Sequence, residues 1–308
     1  MGIIVLSGES SKGLASCLAS KLEGAEFVEV DVRVFPDGES KVRIPKQLNG
    51  KDVVVVHSTH PPVDKHMMQL FFILSKVSRV ASNTIVFIPY LGYARQDREF
   101  LEGEVVSISV IADIICSYNI KALITFDAHS MLALSYFKVP VHNISAIPLL
   151  TEYFLKHVSI DVNNTIAVSP DAGGALRVEE FAKLLKCKYI VLKKSRDRVT
   201  GEVRIDTHSI SKDGIKDKVA IIVDDMISTG SSVITAIDNL KGYGCKDIYV
   251  TCTHALMLDD AYKRILDAGA RDIIASNTVP SPASKVDVSD LASKKITSIL
   301  ASYIAKST

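Results

Sequence analysis

The chain has 308 residues, with 36 Lys+Arg against 35 Asp+Glu and a formal net charge of +1. Hydrophobic residues make up 47% and charged residues 23%, so the chain can bury a sizeable core, which excludes disorder for its bulk. The even charge balance excludes a dedicated polyanion binder, and no apolar run approaches the roughly 20 residues of a membrane helix.

The length predicts two domains or one large one. Residues 3–6 (IIVL) lack a basic flank and run straight into Gly8-Glu9-Ser10, which marks a first strand and not a signal peptide. Short β-branched runs follow at 53–56 (VVVV), 85–88 (IVFI), 123–126 (LITF), 165–168 (TIAV), 189–192 (YIVL), 219–223 (VAIIV) and 247–251 (DIYVT). Continuously apolar strands belong to sheets covered on both faces, as in α/β folds. Helical patterns lie between them, at 67–77 and 231–240 for example.

The halves share a layout. Residues 51–59 form a strand ending in polar loop residues, then a helix, then the strand at 84–88. Residues 218–229 do the same before the strand at Ile248. This reads as a duplicated α/β unit. Residues 193–218 are long, polar and charged, the mark of a functional loop or a hairpin. From 291 to 304 the residues Leu291, Ile296, Ile299, Leu300, Tyr303 and Ile304 share one helical face, which predicts a docking helix. The cysteines Cys17, Cys116, Cys187, Cys245 and Cys252 form no CxxC pair and no zinc-finger spacing. They read as reduced, buried small side chains of a soluble, cytoplasmic protein.

The most informative stretch is VAIIVDDMISTGSSV, residues 219–233. A buried strand ends in Asp224 and Asp225, and the small residues Ser228, Thr229, Gly230, Ser231 and Ser232 then open a helix. Ligands of open α/β sheets bind at the carboxyl ends of strands. Small residues let backbone N–H groups approach a phosphate, and a helix N-terminus favours its charge. The acid pair is unsuited to phosphate but suited to accepting hydrogen bonds from sugar hydroxyls. Together these features describe a site for a phosphorylated sugar.

This string resembles the ribose 5-phosphate loop of type I phosphoribosyltransferase-like proteins. Further blocks, RVFPDGE (33–39), YLGYARQDR (90–98), DAHS (127–130), VSPDAGG (168–174) and KKSRDR (193–198), resemble in order the signatures of ribose-phosphate pyrophosphokinase, also called PRPP synthase. Ser228 at the head of the phosphate loop and the DAGG wording resemble an archaeal-type variant. The resemblance implies two similar type I phosphoribosyltransferase-like α/β domains, each a mainly parallel sheet flanked by helices. Residues 1–142 would be the ATP side, with a C-terminal helix at 281–308 packing back on it. Residues 143–280 would bind ribose 5-phosphate.

Read alone, FPDGE is a hairpin turn; the resemblance makes Phe35, Asp37, Gly38 and Glu39 the adenine site, shared across subunits of a homodimer or larger homo-oligomer. Arginine forks suit phosphate oxygens, and the resemblance makes Arg95, Gln96 and Asp97 contacts of ATP. A His nitrogen and a carboxylate can share a divalent ion with phosphate and water, which suits Mg²⁺; by resemblance His129 and Asp171 are its ligands. Asp171, Ala172, Gly173 and Gly174 would form the pyrophosphate loop. Lys194 and Arg196 match the family's catalytic pair, with Lys193 the alternative if the register slips by one.

The partners implied are ATP and ribose 5-phosphate, with no nucleic acid and no membrane. Two other readings stand beside this one. A PRPP-consuming transferase would share the 219–233 string but has no use for FPDGE and ARQDR. A non-catalytic regulatory relative should have lost groups that are all present here.

Overall fold

The computed structural model describes residues 2–196, 203–207 and 214–307, with 193–196, 203–207 and 304–307 as backbone alone. The chain divides into two compact units. The first comprises Met1–Ile144, Thr278–Pro280 and Asp287–Thr308; the second comprises Ser145–Asn277 and Ser281–Val286.

Unit 1 begins with β1 (Ile3–Ser7), α1 (Lys12–Lys21) and β2 (Ala25–Glu29). A two-stranded antiparallel hairpin follows, β3 (Asp31–Val34) and β4 (Ser40–Arg43). Next come β5 (Asp52–Val56), α2 (Val63–Val77), β6 (Asn83–Phe87), α3 (Ser107–Ser117), β7 (Ala122–Phe126), α4 (Met131–Ser135) and β8 (Val141–Ile144). The main sheet has the order β2-β1-β5-β6-β7-β8, and every pairing in it is parallel. All five residues of β5 and of β7 are buried. These apolar runs therefore form central strands, covered by helices on both faces.

In unit 2, α5 (Ile147–His157) leads into β9 (Thr165–Ser169), α6 (Ala175–Leu185), β10 (Lys188–Arg196) and β11 (Val203–Thr207). Then come β12 (Val219–Ile227), α7 (Ser231–Gly242), β13 (Asp247–Ala255), α8 (Ala261–Asp267), β14 (Asp272–Ser276) and β15 (Ser284–Val286). The sheet order is β11-β10-β9-β12-β13-β14-β15, parallel except for the edge pair β10–β11. Phe154 of α5 anchors one face of this sheet. Its ring lies 5.8 Å from that of Phe181 and 6.0 Å from that of Tyr249, both edge-on, a favoured aromatic geometry.

The layout read from the sequence recurs in both units, as β5–α2–β6 and as β12–α7–β13, each joining parallel neighbours. The final helix, α9 (Ser289–Ser307), belongs to unit 1. It buries Ile296, Ile299 and Leu300, and the Tyr303 hydroxyl donates to the Lys121 carbonyl at 2.8 Å.

Past the end of β5 the buried residues turn polar: His57, Ser58 and Thr59 are all fully enclosed. Ser58 N–H donates to Ser11 Oγ, Ser58 Oγ donates to the Thr278 carbonyl, and Thr59 Oγ1 donates to the Tyr90 carbonyl. His57 Nε2 lies 2.9 Å from the His66 carbonyl, while its Nδ1 has no partner among the described residues. Burial, with a smaller push from His66, lowers the His57 pKa to about 3. Between about 6.5 and about 3 the unfolded chain therefore takes up a proton at this side chain that the folded chain refuses. Stability contributed by neutral His57 is complete above 6.5 and is lost as pH falls, at up to about 1.4 kcal/mol per unit. Urea unfolding at pH 7, 6 and 5 should show this slope, and His57→Gln should flatten it. Equal slopes in the two proteins would refute the assignment.

Candidate active site

In unit 2 two loops leave the carboxyl ends of adjacent parallel strands. β9 and β12 pair with Val168 opposite Ile222, so the turn after Ser169 and the turn after Ile227 open on the same end of the sheet. The β12 loop runs through Ser228 and Thr229 into Gly230, which begins α7. Gly230 has φ of 77°, and a Cβ there would stand 2.9 Å from Ile265 Cδ1. Both the left-handed backbone and the space thus require glycine. The first intrahelical bond of α7 is Ile234 N–H to the Gly230 carbonyl. The N–H groups of Ser231, Ser232 and Val233 therefore lack intrahelical acceptors and are disposed to receive an anion. The Thr229 and Ser231 hydroxyls lie 3.2 Å apart at this opening. Ser228 is tied back through its carbonyl to Leu258 N–H at 3.0 Å.

Asp224 and Asp225 sit on β12 just before that loop. Asp225 is buried and Asp224 is 17% exposed at its side chain. Burial, then repulsion from Asp225, pushes the Asp224 carboxyl well above the usual carboxylate range, and Arg177 opposes the shift. Arg177 projects from the first turn of α6. Its Nη1 lies 3.6 Å from Asp224 Oδ1 and its Nη2 3.5 Å from Asp225 Oδ2. Cys252 of β13, opposite Asp224, is fully buried, and its thiol is pushed well up, so it stands beside the acids as a neutral group.

The β9 loop is shaped around Asp171. Its Oδ1 accepts from Gly173 N–H at 2.8 Å and Gly174 N–H at 3.3 Å, and its carbonyl accepts from Ser169 Oγ at 2.7 Å. A Cβ on Gly174 would stand 2.4 Å from Ser169 Oγ and 3.3 Å from Arg177 Nη1, a close approach that only glycine permits. Asp171, Ala172 and Gly173 are exposed. The N–H groups of Gly173 and Gly174 are thus both engaged by the Asp171 carboxylate.

In unit 1, Phe35, Asp37, Gly38 and Glu39 form the tip of the β3–β4 hairpin. Phe35 N–H bonds the Glu39 carbonyl, and Asp37 Oδ1 accepts from Glu39 N–H. The Arg33 guanidinium lies 5.2 Å from the Phe35 ring centroid. Arg95 is exposed; Gln96 donates to Glu104 Oε2 at 3.2 Å. Asp97 is buried and takes the Arg98 fork at 2.9 and 3.1 Å, together with the Ser130 hydroxyl. The Arg98 hydrogen bond, then that of Ser130, holds its carboxyl down at about 2. This joins the ARQDR loop to the loop that carries His129. His129 is exposed, just past the end of β7. Lys194 and Arg196 lie on β10 with backbones paired to Ile205 and Val203; their side chains lie outside the described residues.

Residues 3–118 match the model of the N-terminal domain of ribose phosphate pyrophosphokinase, and residues 209–307 match the phosphoribosyl synthetase-associated domain. A ribose-phosphate pyrophosphokinase from Sulfolobus acidocaldarius is 38% identical, covering 96% of this chain and 100% of that protein. The chain belongs to the ribose-phosphate pyrophosphokinase family. A Methanobrevibacter smithii ribose-phosphate pyrophosphokinase is 33% identical over 92% of this chain and 97% of its own length. The crystal structure of phosphoribosylpyrophosphate synthetase from Mycobacterium smegmatis matches with a TM-score of 0.86 at 25% identity, covering 98% of this chain and 100% of that one. Membership of this enzyme family confirms the two-unit α/β fold expected from the sequence blocks. No helix among the described residues is long and apolar enough to cross a membrane.

Sequence reasoning passed over Arg177, Ser169 and Ser130. Ser130 and Ser169 lie inside the DAHS and VSPDAGG blocks, but their hydroxyls bond to Asp97 and to the Asp171 carbonyl, links that need the fold. Arg177 carries one signal, an arginine three residues after Gly174 in the first helical turn.

Proposed function

We propose that this chain transfers the β,γ-diphosphoryl group of ATP to the anomeric hydroxyl of ribose 5-phosphate, giving 5-phosphoribosyl 1-diphosphate and AMP. The observation that carries this reading is the pairing in unit 2 of a buried acid pair and a donor-rich helix start on β12 with the 171–174 turn on its neighbour β9. The helix N-terminus and the hydroxyls of Ser228, Thr229, Ser231 and Ser232 bind the 5-phosphate. Asp224, backed by Asp225, accepts hydrogen bonds from the ribose hydroxyls. The diphosphate takes the Gly173 and Gly174 N–H groups from Asp171.

The anomeric oxygen attacks the β-phosphorus. A new O–P bond forms as the bond to the α,β-bridging oxygen breaks, AMP departs, and the hydroxyl proton is lost. Such displacements depend chiefly on positioning and charge neutralisation. Lys194 and Arg196 supply positive charge to the transferring group. On unit 1, Phe35 stacks on adenine, the 37–39 turn accepts from its amine, and Arg95 and Gln96 contact the rest of ATP, with Asp97 bracing their loop. The adenine site is completed by a second copy of the chain, so the active form is at least a dimer; a fully active monomer in sedimentation would refute this. The enzyme works in the cytoplasm, on soluble nucleotide and sugar phosphate.

Among the described residues no three metal-type side chains stand together. A divalent ion here would take most of its shell from phosphate and water, which is the habit of Mg²⁺. The exposed carboxylate of Asp171 and the exposed imidazole of His129 fit that role. Mg²⁺ would supply screening of the phosphate charges.

Phosphorus NMR of the protein with ATP, Mg²⁺ and ribose 5-phosphate tests the reaction. AMP and the 1-diphosphate should appear together, and only when all three are present. ADP would identify an ordinary kinase, and ATP bound without turnover a regulatory protein.

A further inference from the structure

We propose that Arg177 is a positioning residue for the ribose end of the reaction, its guanidinium fork spanning Asp224 and Asp225 and fixing both against the 171–174 loop. The inference rests on the assignment of Asp224 to the sugar hydroxyls. Three observations carry it. The two nitrogens of the fork face one carboxylate each, at 3.6 and 3.5 Å. The same guanidinium packs on Gly174, where a Cβ would stand 3.3 Å from Nη1. The cluster is enclosed, with Arg177 and Asp224 side chains 17% exposed and that of Asp225 5% exposed.

The chemistry follows from that enclosure. Two adjacent carboxylates out of water resist ionising together. A protonated Asp224 would offer one acceptor fewer to a vicinal pair of sugar hydroxyls. Among the described residues, the charged groups facing Asp224 are Asp225 on its own strand and Arg177 on α6, with the neutral Cys252 thiol on β13. Arg177 is thus the one cation among them, and guanidinium keeps its charge at every working pH. Because it stems from the helix that the 171–174 loop opens, it also couples the two subsites: a shift of the diphosphate loop moves the fork that orients the ribose acid.

The test compares wild type with Arg177→Gln and Arg177→Lys, reading KM for ribose 5-phosphate, kcat, and ribose 5-phosphate binding by calorimetry without ATP, between pH 6.5 and 9. Glutamine should raise KM for ribose 5-phosphate by about 10–100-fold, the scale on which loss of an outer partner weakens a metal-ligating carboxylate, with much less effect on KM for ATP. The deficit should shrink as pH rises and Asp224 ionises without help. Lysine should recover part of the loss. A glutamine variant with wild-type KM, or a pH-independent deficit that lysine does not relieve, would overturn the proposal. Should the glutamine variant not fold, the lysine variant decides: a wild-type pH profile for sugar binding in that protein refutes the role. Wild-type protein that makes no AMP would instead sink the functional assignment, while normal wild-type turnover with unaltered variants counts against Arg177 alone.

Discussion

Lys194→Ala should lower turnover about a thousandfold while leaving the fold and the unfolding midpoint unchanged. In phosphoryl transfer the protein does little covalent work, and a cation placed on the transferring group is typically worth ~10³–10⁵ in rate. Lys194 and Arg196 are the proposed cations, both at the far end of β10. The loss should fall on kcat, since charge builds on the group in flight more than in the bound substrates. Single-turnover kinetics with saturating ATP and ribose 5-phosphate would measure it. A near-normal rate would remove Lys194 from the chemistry and move attention to Lys193, the neighbouring basic residue.

Gly230→Ala should damage both stability and sugar-phosphate binding. The backbone at φ of 77° costs an L-residue about 1–2 kcal/mol. The added methyl also meets Ile265 at 2.9 Å and 3.1 Å, with Ala261 3.5 Å away. Overpacking a filled site adds typically about 1–3 kcal/mol. Either the Ile265 side chain or the start of α7 has to give way, and where the helix start yields, the N–H groups of Ser231 to Val233 lose their alignment and KM for ribose 5-phosphate should rise at least about tenfold. Denaturant midpoints together with KM test this. A double variant with Ile265→Ala should recover part of the stability by clearing the contact, but not all, because the backbone term remains. Full recovery would show that φ contributes nothing here.

The central strands were legible because burial on both faces leaves uninterrupted β-branched runs, as in DVVVV of β5 and TIAVS of β9. Weaker signals hid the flanks. β2 (AEFVE) and β8 (VHNI) bury little and lie at sheet edges, so their composition is mixed. The β3–β4 hairpin was legible only as the turn at its tip. The layout of VDDMISTGSS was readable because strand, acids and helix start are contiguous. Arg177 was not, since its fork meets Asp224 across two elements 47 positions apart in the chain. Nor was the inward turn of Asp97, which the charged run ARQDR presents as a solvated loop; its burial depends on Ser130, from another strand end. The enclosed His57 left no pattern at all, because one imidazole beyond a valine run resembles any strand end.

β10 changes partners along its length. Over Lys188 to Val191 it pairs with β9 in the body of the sheet; from Leu192 to Arg196 its register is with β11 alone. The residues proposed for the chemistry thus stand on a two-stranded ribbon that projects past the parallel sheet, an arrangement that adds little independent stability. The anchorage of the fold and the placement of the proposed reactive cations are thereby divided between successive segments of one strand. Substitutions from Lys193 onward should accordingly retune rate with little consequence for global unfolding, while those up to Leu192, itself buried in the core, are constrained by packing. A lineage can explore catalytic variants on this ribbon without first acquiring a more stable scaffold.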